Sequence, residues 1–585
     1  MKELQYINQF FSKYKYRLLI GIFITVAANI FKIYTPKFIG ICVNIIKDRI
    51  DLKLTEEVFK NELTHNILLL LGAACMTAIL TFFMRQTIIN VSRYIEYDLK
   101  NEIYKQYQIL SLNFYKSNRT GDLMSRISED VGKVRNYTGP ALMYTINTLT
   151  LFTVVLYTMY NLSPKLTLYT VIPLPILSYV IYKISRVINK RSTIVQQSLA
   201  SLSSFTQEHF SGISVIKSYG IETRTNKIFN TLSFENKTKQ IDLIKIQALF
   251  FPLMILLIGT SNLIVIWIGG KMYINDQIDS LGVIVEFLIY VNLLTWPVAT
   301  VGWVTDQVQQ AEAAQKRINE FLKQEPEITN QNTEDSEITG NIEFKDVSYT
   351  YPDTGIEALK NLNFKLAAGK TLAIIGKTGA GKSTVLDLIG RLYDITSGEI
   401  LIDGKKINKT NLYKLRESIG YVPQDAFLFS DSIINNIKFG KENATESEVI
   451  EAAKNADIHN NIKEFKHGYD TVLGERGITL SGGQKQRVSI ARAIIKTPKI
   501  LLFDDCLSAV DTETEEKILK NLLKISKDST TIIVSHRVSS AKNADYIIVL
   551  DEGKVLESGT HKTLSKGNGY YQKVYEKQLS DKKTI

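Results

Sequence analysis

Cysteine is scarce and without pattern. Cys42, Cys75 and Cys506 are the only three in 585 residues, and no two form a CxxC pair. An odd number of scattered thiols excludes a disulfide framework and a cysteine zinc site. A cleavable leader is also missing. The opening "MKELQYINQFFSKYKYRLLI" has basic residues followed by a long apolar run, with no small-residue cleavage site after it. It reads as an interfacial helix leading into a true membrane span. The formal net charge is +11. Nucleic acid is set aside as its cause, because the Lys and Arg residues gather in polar connections beside apolar runs.

The chain is too long for one ordinary domain. Its 45% hydrophobic content hides an uneven distribution. The N-terminal half carries long apolar runs, and the C-terminal part reads as a soluble α/β domain. Six segments, near 18–40, 66–90, 140–161, 164–185, 246–270 and 280–305, are apolar enough to cross a bilayer. Each has the roughly 20 residues that a core of about 30 Å demands. "NLSP" makes a tight hairpin between the third and fourth, and "KMYINDQID" separates the fifth and sixth. The long connections 91–139 and 186–245 keep helical periodicity, as in "RYIEYDLKNEIYKQYQIL", and are expected to continue the spans beyond the membrane. Arg93, Lys100, Lys105, Arg126, Lys190 and Arg191 place them in the cytoplasm, with Lys13, Lys15 and Arg17 on the same side. An even number of spans puts the C-terminal half there too.

Prolines 36, 173, 175, 252 and 297 fall inside these segments and are expected to kink them. Lys32, Arg85 and Glu286 are ionisable residues at membrane depth, where charge is costly and often functional. Glu286, with Asn292 beyond it, is expected either to face an internal cavity and favour cationic substrates or to sit in water at the outer interface. Trp267, Trp296 and Trp303 read as interfacial or packing aromatics. The polar, acidic stretch "KQEPEITNQNTEDSEITG" marks a linker at 323–340, between a membrane domain at 1–322 and a soluble domain at 341–578.

"TLAIIGKTGAGKSTVLDLI" is a buried strand, a glycine-rich loop and a helix start. Gly376, Gly381, Lys382 and Ser383 fit G-x-x-x-x-G-K-[ST]. Residues Gly376, Lys377, Thr378, Gly379, Ala380, Gly381, Lys382, Ser383 and Thr384 form the expected phosphate cradle. Its backbone N–H groups and the helix dipole favour phosphate oxygens. Lys382 is expected on the β- and γ-phosphates and the Ser383 hydroxyl on Mg²⁺. Asp504 closes the apolar strand in "ILLFDDCLSAVD" (500–511) and suits the Mg²⁺ shell of a nucleotide hydrolase. A nucleotide and Mg²⁺ are therefore the expected ligands, and these two motifs do not by themselves say which nucleotide triphosphatase this is.

"LSGGQKQRVSIARAI" at 480–494, read with the phosphate loop, resembles the signature of ATP-binding cassette proteins. The remaining family motifs follow in order. Tyr351 in "VSYTYP" matches the aromatic that stacks on adenine, and Gln424 in "YVPQDAFLF" the glutamine that senses Mg²⁺ and couples to the membrane half. "GERG" at 474–477 precedes the signature. "SAVD", with Val510 and Asp511, matches the loop that crosses to the partner, and His536 in "VSHR" the switch histidine near the γ-phosphate. "FYKSNRTGDLMSRISEDV" and "GISVIKSYGIE" look like the two cytoplasmic coupling regions of the exporter fold. The resemblance covers nearly the whole chain and implies a helical six-span membrane domain followed by an α/β phosphate-loop nucleotide-binding domain. The implied protein is a bacterial half-transporter of the multidrug and lipid exporter type, in the cytoplasmic membrane, without a leader peptidase. Ser481, Gly482, Gly483 and Gln484 would cap ATP held by a second half-transporter.

Most members of the family that this chain resembles carry glutamate after the strand-ending aspartate, where it polarises the attacking water. Here the position is Asp505. Its carboxylate is one methylene shorter, and misplacing a catalytic group by about 1 Å can cost on the order of 10²-fold in rate. The resemblance then implies a heterodimer with a weak site at Asp505, while this chain's intact signature completes the partner's site. The retained His536 leaves slow turnover open, as does a homodimer with two slow sites. An importer on the same fold and an ATP-gated channel or regulatory subunit are the rival readings. Direction of transport, and conductance without accumulation, separate them.

Overall fold

The computed structural model describes residues 2–334, 337–474, 477, 480–507, 512–525 and 528–583. They form two compact units, one of residues 1–108 with 121–324 and one of residues 109–120 with 325–585.

The first unit is helical. Its principal helices are α1 (Lys15–Ile50) and α2 (Glu56–Ile109). The short α3 (Leu112–Ser117) follows and belongs to the second unit. Then come α4 (Thr120–Leu162), α5 (Pro164–Val171), α6 (Pro173–Ser211), α7 (Ile213–Tyr219), α8 (Glu222–Ile274) and α9 (Leu281–Leu322). α2 has 54 residues, which at 1.5 Å per residue makes a rod of about 80 Å. That is well over twice the hydrocarbon thickness, so the polar connections do continue the helices.

Among the described residues five helices, α1, α2, α4, α8 and α9, are long and apolar enough to cross a membrane. The expected fourth span, 164–185, is divided between α5 and α6. Ser163 caps α5, its hydroxyl accepting from the Leu166 N–H at 3.4 Å, and Pro164 opens the helix. Pro173 opens α6. A proline ring donates no N–H and clashes with the preceding turn, so the helix is interrupted at Ile172. Pro36, Pro252 and Pro297 stay inside unbroken helices. In α4 the turn Tyr137–Ala141, which contains Pro140, widens to π-helix.

The interior of this unit is modest. Leu151, Val155, Met159, Leu166, Val265, Phe287 and Leu294 form its main cluster. Leu68, Phe82, Leu263 and Trp267 stand exposed, the last at 78%. Apolar surface on this scale needs lipid or another chain to cover it. α1 and α9 meet at a seam without room for side chains. A Cβ on Gly282 would stand 2.2 Å from the Gly40 carbonyl oxygen. Asn44 bridges the helices, its Oδ1 accepting from the Gly282 N–H at 2.8 Å and its Nδ2 donating to Ser280 Oγ at 3.1 Å. Glu286 is buried against the same seam, so it is not a carboxylate in water. Near the other end of α9, Arg317 Nε donates to the buried Asp130 carboxylate at 2.9 Å.

The second unit has two sheets. An antiparallel sheet of order β2-β1-β4-β5 contains β1 (Ile342–Thr350), β2 (Glu357–Leu366), β4 (Ser397–Ile402) and β5 (Lys405–Lys406). A six-stranded sheet has the order β10-β9-β3-β8-β7-β6. Its strands are β3 (Thr371–Gly376), β6 (Ile419–Val422), β7 (Ile500–Asp504), β8 (Thr530–Val534), β9 (Tyr546–Asp551) and β10 (Lys554–Gly559). β3, β6, β7, β8 and β9 run parallel. β3, β7 and β8 are buried along their whole length, as the continuous apolar runs of a parallel sheet covered on both faces require. The register sets Asp504 beside Val534 and Gly376 beside Leu550, so these strands end level with one another. Ligands of open α/β sheets bind at that carboxyl edge.

The α1–α9 seam is testable. Gly282→Val forces two backbones apart, and overpacking of this kind costs about 1–3 kcal/mol. The variant is expected to melt several degrees below wild type in detergent, read by the loss of the monodisperse elution peak on heating.

Candidate functional site

The phosphate loop leaves β3 and enters α10 (Lys382–Ile389). Gly381 has φ +92°, and a Cβ there would lie 2.3 Å from the Ala358 carbonyl oxygen, so only glycine fits. The Lys382 side chain folds back over the loop. Its Nζ donates to the Gly376 carbonyl at 3.0 Å and the Lys377 carbonyl at 2.7 Å. Burial lowers its pKa, against the opposing pull of Asp505 and Asp504. Ser383 Oγ donates to Asp504 Oδ1 at 2.9 Å, joining loop to strand at the expected metal position.

A cleft of about 560 Å³ opens at this edge. Tyr351, Thr378, Gly379, Gly381, Lys382, Ser383, Thr384, Gln424, Asp504, Asp505 and His536 all line it. Concavity and convergent polar groups are what a small-molecule site needs. Gly376 and Lys377 contribute through the carbonyls that hold Lys382, and Lys377 Nζ lies 3.7 Å from Asp551. Ala380 is buried beneath the loop. The Tyr351 hydroxyl is 3.0 Å from Thr384 Oγ1. The Gln424 carbonyl accepts from Gln486 Nε2 at 3.3 Å.

The paired aspartates differ. Asp504 ends β7 and is buried, and burial raises its pKa, with Ser383 lowering it and Asp505 adding to the rise. Asp505 is half-buried and turns the backbone out of the strand at φ +41°. Aspartate is among the few side chains that tolerate this left-handed region. Its N–H donates to the Val534 carbonyl at 2.9 Å. Burial raises the pKa of its carboxyl, while the charge of His536 and a hydrogen bond from the His536 backbone oppose the rise.

The signature residues do not line the cleft. Ser481 caps α11 (Gly482–Ile494), its Oγ accepting from the Gln484 N–H at 3.3 Å while Gln484 Oε1 accepts from the Ser481 N–H at 2.9 Å. Ser481 and Gly482 are exposed and Gly483 and Gln484 partly so. Glu475, Arg476, Val510 and Asp511, from the expected "GERG" and "SAVD" motifs, lie outside the described residues. Glu357, Lys360, Glu552 and Gly553 also line the cleft and carry no motif in the sequence. Only Glu552 and Gly553 leave a trace there, as an acidic–glycine turn between β9 and β10.

Residues 18–298 match the family described as the ABC transporter transmembrane region, and residues 359–508 match the family described as ABC transporter. The chain is 35% identical to the probable multidrug resistance ABC transporter ATP-binding/permease protein YheI of Bacillus subtilis, over 98% of this chain and 97% of that one. It is 33% identical to the multidrug resistance-like ATP-binding protein MdlA of Escherichia coli, over 99% and 97%. It is 35% identical to the ATP-dependent lipid A-core flippase of Syntrophus aciditrophicus, over 88% and 84%. A solved bacterial Atm1-family ABC exporter with ATP bound superposes with a TM-score of 0.80 at 26% identity, covering 96% of this chain and 98% of that one.

The raised pKa of Asp504 has a sign that can be measured. A carboxyl held above its unfolded value of about 3.9 makes ionisation costly to the fold, and that cost appears as pH rises through the window between the two values. Asp504→Asn removes it. The nucleotide-free variant is expected to melt above wild type at pH 7, with the difference vanishing below about pH 4, and to lose stabilisation by Mg·ATP. Thermal melts with and without Mg·ATP check both.

Proposed function

The chain belongs to the ABC transporter family, and from that premise we propose that it is one half of a dimeric, ATP-driven exporter of hydrophobic or amphipathic compounds. Its nucleotide domain is an ATPase coupled to transport in a membrane protein. The observation that carries the dimeric reading is the incomplete cleft. It gathers the phosphate loop, Asp504, Asp505 and His536, while Ser481, Gly482, Gly483 and Gln484 face elsewhere on the same unit. A nucleotide seated there leaves its γ-phosphate open, and a second half-transporter's signature would close it. The exposed apolar helices of the first unit support the same conclusion.

Within the cleft each residue has a role that follows from its contacts. Loop N–H groups and Lys382 neutralise phosphate charge, and Tyr351 offers a ring to adenine. The donors at Ser383 and Asp504 are hydroxyl and carboxylate oxygens, the hard ligands that Mg²⁺ takes, with Gln424 at the cleft wall. Mg²⁺ held there would neutralise charge on the β- and γ-phosphate oxygens. Asp505 would orient the attacking water, with His536 beside the γ-phosphate. The shorter reach of Asp505 favours a weak site and a pairing with a different half-transporter that supplies the stronger one. Membrane lipid surrounds the first unit, and a drug, lipid or peptide is the cargo.

Two measurements test this. Inside-out vesicles containing the transporter are expected to accumulate a lipophilic fluorescent dye with ATP, and Lys382→Met to abolish it; accumulation only in right-side-out vesicles contradicts export. Affinity purification of the tagged chain from its native membrane is expected to bring down a second, different half-transporter; recovery of copies of itself alone contradicts the heterodimer.

A further inference from the structure

The cleft has a feature that the nucleotide motifs do not account for. Lys116 lies on α3, in the connection between α2 and α4, yet α3 belongs to the nucleotide unit. Its Nζ stands 4.8 Å from the ring centroid of Tyr351 and 4.8 Å from that of Tyr393. Both distances are within the roughly 6 Å at which a ring's negative face attracts a cation. The two rings are 5.7 Å apart and nearly perpendicular, at 83°, so they form two walls of a cage around the ammonium. The Asp387 carboxyl adds charge nearby: burial pushes it up to about 6 and Lys116 pulls it down.

α3 is pinned where this cage requires it. Ser111 Oγ and Asn113 Nδ2 each donate to the Glu327 carboxylate at 2.9 Å. Tyr351 itself is held at its hydroxyl by Thr384, a residue of the phosphate-binding helix, and lines the nucleotide cleft. One aromatic ring therefore touches the cleft, the phosphate-binding helix and a lysine carried by a membrane connection.

We propose that Lys116 is a positioning residue that sets the plane of the Tyr351 ring for adenine, and through it ties α3 to base occupancy. The inference rests on the reading of Tyr351 as the adenine platform. A ring fixed at its hydroxyl by Thr384 and on a face by an ammonium cannot swing about its side-chain bond. Such a preset ring loses little freedom when a base stacks on it. Coupling between two sites is reciprocal. If Lys116 improves adenine binding, adenine must steady α3 by the same factor.

The test compares ATP with tripolyphosphate, which offers phosphates without a base, on the full-length protein in lipid nanodiscs. EDTA prevents turnover during equilibrium binding. Lys116→Met is expected to weaken ATP binding roughly three- to tenfold, in the range of one cation–π contact, and to leave tripolyphosphate binding unchanged. Lys116→Arg is expected to restore ATP binding. Combined with Tyr351→Ala, Lys116→Met is expected to add no further loss. ATP, and not tripolyphosphate, is expected to slow hydrogen exchange over residues 109–120 in wild type. Equal weakening of both ligands in Lys116→Met overturns the inference, since the damage is then to the phosphate loop or the fold. So does unchanged ATP binding in Lys116→Met when Tyr351→Ala is impaired. Unchanged ATP binding in Tyr351→Ala removes the platform reading and the inference with it.

Discussion

The contact on which the nucleotide unit depends is the Lys382 ammonium held between the Gly376 and Lys377 carbonyls, beside two aspartates. A triphosphate brought to the carboxyl edge of this sheet meets Asp504 and Asp505, which repel it. In the proposed function Lys382, the loop N–H groups and a metal at Ser383 and Asp504 would offset that repulsion. The surrounding structure serves this balance. Buried parallel strands fix the ends of β3, β7 and β8 level, and Gly381 lets the loop pass against the Ala358 backbone. Burial raises the pKa of both Asp504 and Asp505, against the lowering pull of Lys382 and His536.

In the proposed function the same edge is one part of a reaction centre. Asp505 has a left-handed backbone and receives a hydrogen bond from the His536 backbone, so its short carboxylate is tied to the segment that follows β8. Non-glycine residues in this conformation cluster at functional sites, where the surroundings hold them in place. Ser481 and Gln484 cap their own helix, and in the proposed dimer the same groups would meet a partner's nucleotide.

The sequence made the phosphate loop, Asp504 and the signature legible because their chemistry is local. Gly381 and Lys382 work through a few consecutive residues, and an apolar run ending in aspartate marks a strand edge. What stayed hidden depends on distant segments. Nothing in "FYKSNRT" says that Lys116 reaches Tyr351, more than two hundred residues away, because that contact exists only once α3 joins the nucleotide unit. Glu357 and Lys360 reach the cleft through the register of β2, which follows from packing. The break at Ile172 was foreshadowed by Pro173, but a proline alone does not distinguish a break from the unbroken helices that hold Pro36, Pro252 and Pro297. The partners of Gly40 and Gly282 are likewise set by the tertiary fold, and Glu286 packs against Gly40, in another helix.

The shortened carboxylate of Asp505 is tested most directly by the steady-state ATPase rate of the purified transporter, this chain with its partner half-transporter and with the partner's own hydrolytic site inactivated, compared with Asp505→Glu under the same conditions. Slow turnover by wild type and a rise of at least tenfold in Asp505→Glu are predicted, since restoring one methylene recovers part of the roughly 10²-fold lost by about 1 Å of misplacement. Brisk wild-type turnover that Asp505→Glu does not increase would contradict it.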